Sequence, residues 1–69
     1  MKRYYIEYES DEIVCGSNRH HYGYASTVKT AKDYIRRCRK SDAKHNPRNF
    51  KIFDTESAEE YATIVHEEE

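Results

Sequence analysis

Two cysteines and four histidines are the residues of this chain best suited to metal or nucleophile chemistry. Cys15, His20 or His21, Cys38 and His45 would together supply a zinc donor set. Small zinc sites are normally held by local pairs of the C-x₂-C or H-x₃-H kind, and the chain has neither. Distant segments would have to assemble all the donors, so the expectation is no metal. A Cys15–Cys38 disulfide would staple a small fold, but two cysteines without an export signal predict free thiols instead. On this reading Cys38 is a core residue and Cys15 a half-buried strand residue. His20-His21 offers a general base, yet a base needs a positioned partner and a nucleophile or water, and no recognisable set lies near it. G-x-S-x-G and H-E-x-x-H are absent, and two glycines are too few for a phosphate-cradling loop. A minimal ribonuclease using one histidine and a few cations is the weakest of the readings kept. The expectation is a protein without enzymatic activity or cofactor.

The charge pattern says more. The chain has 12 Lys and Arg against 13 Asp and Glu, but they are segregated. Residues 1–28 carry three basic and four acidic groups, residues 29–51 nine basic and two acidic, and residues 52–69 seven acidic and no basic ones. Lys29, Lys32, Arg36, Arg37, Arg39, Lys40, Arg48 and Lys51 form the candidate nucleic-acid surface, with Lys44 nearby, because Lys and Arg at this density can line a phosphate backbone. The acidic tail opposes that reading, as does a pI near 6.4 where nucleic-acid binders usually exceed about 9. Tyr5, Tyr22 and Phe53 are the candidate protein-binding residues, since aromatic side chains anchor interfaces; they could equally stack on bases.

These residues need elements to position them. The strongest is residues 26–40, STVKTAKDYIRRCRK, where Val28, Ala31, Ile35 and Cys38 recur at helical spacing and the cations fall on the other faces. Ser26 or Thr27 can cap the first turn, and Arg37, Arg39 and Lys40 suit the negative end of the helix dipole. A helix of about 22 Å is marginal alone and must lay its apolar stripe on something. Residues 3–9 alternate, with Tyr4, Ile6 and Tyr8 on one side, and predict a strand. Ser10-Asp11-Glu12 then reads as a turn, Ile13-Val14-Cys15 as a short return strand and Gly16-Ser17-Asn18 as another turn. Residues 19–24 are strand or aromatic loop, Gly23 weakening the strand; if extended, His20, Tyr22 and Tyr24 share a face. Residues 48–54 predict a second firm strand. In the tail, Ser57 and Glu60 fit a helical capping box, while the β-branched run Thr63-Ile64-Val65 favours a strand over 61–66 hairpinned onto 48–54. Residues 67–69 are expected to fray.

The fold class that results is α+β, a single domain over 1–69: a small antiparallel sheet in β-β-α-β-β order with one amphipathic helix on one face. Its predicted core is Tyr4, Ile6, Tyr8, Val28, Ala31, Ile35, Cys38, Phe50, Ile52 and Ile64. This order resembles, in fold alone, the partial RNase-H-like antitoxin domains and the three-strand-plus-helix DNA-binding domains of integrases, and no motif extends the resemblance to any residue. Size and composition match the small accessory proteins of mobile elements. No apolar stretch reaches the roughly 18 residues of a membrane span, and the first ten residues lack the apolar core of a secretory signal, which places the chain in the cytoplasm. Sixty-nine residues build a small core, so a homodimer is one way to complete it. The function expected is therefore protein–protein interaction or self-association, with nucleic-acid binding through helix 29–40 as the alternative.

Overall fold

The computed structural model describes residues 2–56 and 63–69. Four strands, β1 (Tyr4–Val14), β2 (Ser17–Ala25), β3 (Arg48–Asp54) and β4 (Thr63–Glu68), form one antiparallel sheet in the order β2-β1-β3-β4. A helix, α1 (Val28–Ser41), and a 3₁₀ turn, Ala43–His45, connect β2 to β3. Both of these strands run antiparallel to β1, which lies between them, so α1 crosses over β1 and packs on β1, β2 and β3. The β-β-α-β-β order and the single helix on one face are as the sequence predicts.

The helix begins where its chemistry says it should. Thr27 is extended and its hydroxyl accepts the Thr30 N–H at 3.1 Å, the Ncap interaction available to a threonine. At the other end the Asp42 N–H bonds the Cys38 carbonyl. Ala31, Ile35 and Cys38 are buried, and with Ile6, Ala25, Phe50 and Ile52 they form the core. Tyr4, Tyr8, Val28 and Tyr34 are partly buried against it. Tyr8 stacks on Phe50 with ring centroids 5.3 Å apart. Ile64, predicted to be core, is 43% exposed, because its register partner is Phe53, whose side chain points away from the helix.

The first hairpin differs from expectation. Ser10-Asp11-Glu12 is not a turn but part of a long β1, and the chain reverses at Cys15-Gly16, with Val14 paired to Ser17. Both turn residues have positive φ, 53° and 79°, which is what a two-residue I′ connection requires. Cys15 is thus an exposed turn residue rather than a half-buried strand residue. The sequence signal at 10–12 reflects a real irregularity: between Glu9↔Arg19 and Val14↔Ser17, β1 carries four residues against one on β2. Ser10 is buried there, and its hydroxyl accepts the Glu12 N–H at 3.2 Å.

At the tail, residues 63–68 are strand, as the β-branched run favours. The capping box at Ser57 and Glu60, and Tyr61 and Ala62 of the alternative strand, lie outside the described residues. Glu67 and Glu68, expected to fray, pair with Lys51 and Phe50 as the last rungs of β4. Near the other end of β3, Arg3 donates from Nε and Nη2 to the two carboxylate oxygens of Asp54, both at 2.7 Å. The Arg3 guanidinium holds the Asp54 carboxyl below its usual range. A carboxyl depressed in the folded state contributes stability above its unfolded value of about 3.9, and this is lost as pH falls through the folded value. Denaturant midpoints should therefore drop more steeply with acidification in the wild type than in Asp54→Asn; parallel profiles would show that the pair adds nothing.

The cysteines lead to a second test. Cys38 is buried and its thiol is raised, chiefly by that burial, whereas Cys15 is exposed. A thiol reagent should modify Cys15 rapidly in the native protein and Cys38 only on unfolding. Equal native rates would contradict the helix orientation.

Candidate functional site

Alternation along the strands divides the sheet into two faces. One face carries Ile6, Tyr8, Phe50 and Ile52 beneath α1. Among the described residues no helix lies on the opposite face, which is organised by register. Tyr5 pairs with Tyr24 on one side and Phe53 on the other, and Phe53 pairs with Ile64. The result is one aromatic–aliphatic row, Tyr24–Tyr5–Phe53–Ile64, across all four strands. Ring centroids lie 5.3 Å apart for Tyr5–Tyr24 and 6.0 Å for Tyr5–Phe53. Tyr24 is 47% and Ile64 43% exposed, while Tyr5 and Phe53 at the middle are half-buried by their neighbours. Burial raises the Tyr5 phenol above its ordinary value, and the adjacent Glu7 carboxylate adds to the shift.

The next row on this face is polar. Glu7 is the register partner of both His21 and Lys51, and Lys51 of Glu67. Arg19 Nη2 donates to Glu7 Oε1 at 2.7 Å, and Asn49 donates to Glu9 at 3.2 Å. Two cations and three carboxylates therefore border the aromatic row, and the border is not basic.

Of the candidate protein-binding residues, Tyr5 and Phe53 come together and Tyr22 does not. A register shift pairs Ile6 with Gly23 and Glu7 with His21, leaving Tyr22 as the extra residue of β2. Its ring meets Tyr34 of α1, at 5.8 Å, on the other side of the sheet from Tyr24. The shared face expected for His20, Tyr22 and Tyr24 is thereby broken. Tyr24 joins the row instead; its sequence signal was present, but the bulge at Tyr22 reverses its side relative to His20.

The candidate nucleic-acid surface is divided as well. Lys29, Lys32, Arg36 and Lys40 are exposed on the outer side of α1. Arg36 is ion-paired with Asp33, and the Arg37 guanidinium lies 5.6 Å from the centre of the Tyr34 ring. Arg39 turns toward the sheet, sits 4.6 Å over Phe50 and donates to Glu68 at 2.9 Å and to the Glu69 carbonyl. A hydrogen bond from His66, and after it this contact with Arg39, hold the Glu68 carboxyl below its usual range. Arg48 is committed to Asp11 at 2.8 Å and to the Asn46 carbonyl. Lys51 lies on the helix-free face. Among the described residues the tail thus reaches one helix cation, Arg39, and Lys29, Lys32 and Lys40 have no acidic partner. The Tyr24–Tyr5–Phe53 row and the outer-face cations Lys29, Lys32, Arg36 and Lys40 occupy opposite sides of the layer, so that row and that basic face are not assembled in one place.

The fold also gathers a group that spacing did not reveal: Glu12, Asp42 and His45, whose side-chain donor atoms lie within 4.8 Å of one another. Asp42 and His45 are three residues apart around the end of α1, a local signal, but Glu12 arrives from the irregular part of β1. His20 stays on the helix side, 5.3 Å from Tyr8. Among the described residues no helix is long and apolar enough to cross a membrane. No family model, curated protein or solved structure matches this chain.

Proposed function

We propose that this protein is a small, non-enzymatic binding module of the cytoplasm that docks a protein surface, another polypeptide or a second copy of itself, on the helix-free face of its sheet. The observation that carries the proposal is the Tyr24–Tyr5–Phe53–Ile64 row. An open sheet face normally alternates to polar side chains, and four apolar or aromatic residues in register across four strands is a contiguous patch of the kind that marks interaction sites. Tyr and Phe supply large contact areas with few torsions to immobilise. The mixed charges of the next row suit a polar interface rim better than a phosphate backbone.

Sedimentation over a wide concentration range reads the homomeric case. Crosslinked capture with wild type and with Tyr5→Ser/Phe53→Ser in parallel reads the heteromeric one. Concentration-dependent association, or partners held by the wild type and lost by the variant, is the expected result. A monomer at every concentration, with identical captures for both chains, would overturn the reading.

The second reading, nucleic-acid binding through α1, is supported by Lys29, Lys32 and Lys40, which have no acidic partner among the described residues. It predicts low-salt binding of oligonucleotides that weakens steeply as salt is added.

A further inference from the structure

Asp42 ends α1, and His45 closes the 3₁₀ turn that follows. His45 Nδ1 lies 2.5 Å from Asp42 Oδ1, and Glu12 Oε2 approaches the same nitrogen to 3.4 Å. Three elements, the irregular end of β1, the end of α1 and the 3₁₀ turn, thus each contribute one donor to one point. Glu12 is not carried there on a free loop. Its N–H is held by the Ser10 hydroxyl at 3.2 Å, and its carbonyl accepts from His20 Nε2 at 2.9 Å.

We propose that Glu12, Asp42 and His45 form a binding site for a divalent transition-metal ion, with zinc the best match. The donor set is one imidazole nitrogen and two carboxylate oxygens. Imidazole selects zinc and its first-row neighbours over magnesium and calcium, which want oxygen ligands throughout and more of them. Bonds of about 2.1 Å in a tetrahedral site place donor atoms roughly 3.4 Å from one another. The His45–Glu12 separation is already 3.4 Å, and the Asp42–His45 separation has to open by about 1 Å. That opening accompanies a defined exchange: the hydrogen bond between His45 Nδ1 and Asp42 is given up, and the ion takes the Nδ1 lone pair of the neutral imidazole carrying its proton on Nε2, together with both carboxylates. Two converging carboxylates favour a cation between them, and their negative field is felt nearby. It contributes, after burial and Cys38, to raising the Tyr8 phenol. Three protein donors leave a position for water, and Glu12, exposed, borders solvent. The same three groups could instead form an ion triad around a protonated imidazole, so proton and metal compete for one nitrogen.

The test uses the Cys15→Ser chain, which removes the exposed thiol as a rival ligand. Calorimetric titration with zinc at neutral pH should give one ion per chain with a dissociation constant below about 100 μM. Loss of an outer-sphere partner alone costs metal sites about 10–100-fold, so His45→Ala and Asp42→Asn should each weaken binding by at least about tenfold. Glu12→Gln should weaken it, and His66→Ala should not. Affinity should fall with acidification, because protons compete with the ion for the imidazole nitrogen and the carboxylates, and excess magnesium should not displace the ion. Cobalt should give the visible absorption of a tetrahedral site, and His45 ring resonances should shift on zinc addition. If Asp42→Asn fails to fold, His45→Ala, at a partly exposed position, decides the matter. No binding, or binding undiminished in His45→Ala, overturns the proposal.

Discussion

Ile35→Ala should lose about 2–5 kcal/mol of folding free energy, the range found when a large aliphatic side chain is deleted from a packed core. Ile35 is 1% exposed and lies between Ala31 and Cys38 on the stripe that meets Ile6, Phe50 and Ile52. Two circumstances push the loss toward the upper end. Among the described residues only seven hydrophobic ones are fully buried, so few neighbours can move to fill the space. A single short helix also depends on this stripe for its existence, since 14 residues are marginal as an isolated helix. A domain of this size seldom holds more than about 3–5 kcal/mol from its core, so the variant should be largely unfolded without denaturant. Lys32→Ala, one turn away on the exposed side, should stay within about 0.5 kcal/mol of wild type. Urea unfolding followed by circular dichroism measures both. An Ile35→Ala midpoint equal to wild type would mean that the helix rests on a different stripe.

That stripe shows why part of the fold was legible. Val28, Ala31, Ile35 and Cys38 repeat at a helix's own period, and Tyr4, Ile6 and Tyr8 at a strand's, so each element announces its buried side locally. The errors fall where a single residue changes the count. One extra residue in β2 places Tyr22 against α1 and Tyr24 beside Tyr5, and no alternation rule can anticipate that without knowing where the bulge sits. The extra residues in β1 gave a turn signal at Ser10-Asp11-Glu12 that is real, but the strand continues past it. Ile64 is apolar and β-branched, which fits both faces of a strand, and only its pairing with Phe53 places it outside. Neither the aromatic row nor the Glu12–Asp42–His45 group could be read from spacing. Both are products of register between segments far apart in the chain.

Opposite faces of the layer make the two functional readings separable by mutation. Tyr5→Ser with Phe53→Ser should weaken protein association by at least about 100-fold, since central aromatic residues of an interface commonly contribute 2 kcal/mol or more each. Lys32→Glu with Arg36→Glu should leave that association within about threefold, because both residues lie on the outer side of α1 and rim charges matter mainly for encounter rates. The converse applies to oligonucleotides. Charge reversal on α1 should abolish any low-salt binding, and the wild-type affinity should fall with salt at a log–log slope of about −0.9 per phosphate neutralised. The serine pair should not change that slope. Tyr5 and Phe53 are half-buried by their row neighbours, so the serine pair also needs a fold check by circular dichroism. Tyr24→Ser with Ile64→Ser, at the exposed ends of the row, supplies a milder version that spares the middle. Loss of association with the aromatic variants and not the charge variants places the binding surface on the sheet. Loss with the charge variants alone places it on the helix and ends the sheet-face proposal.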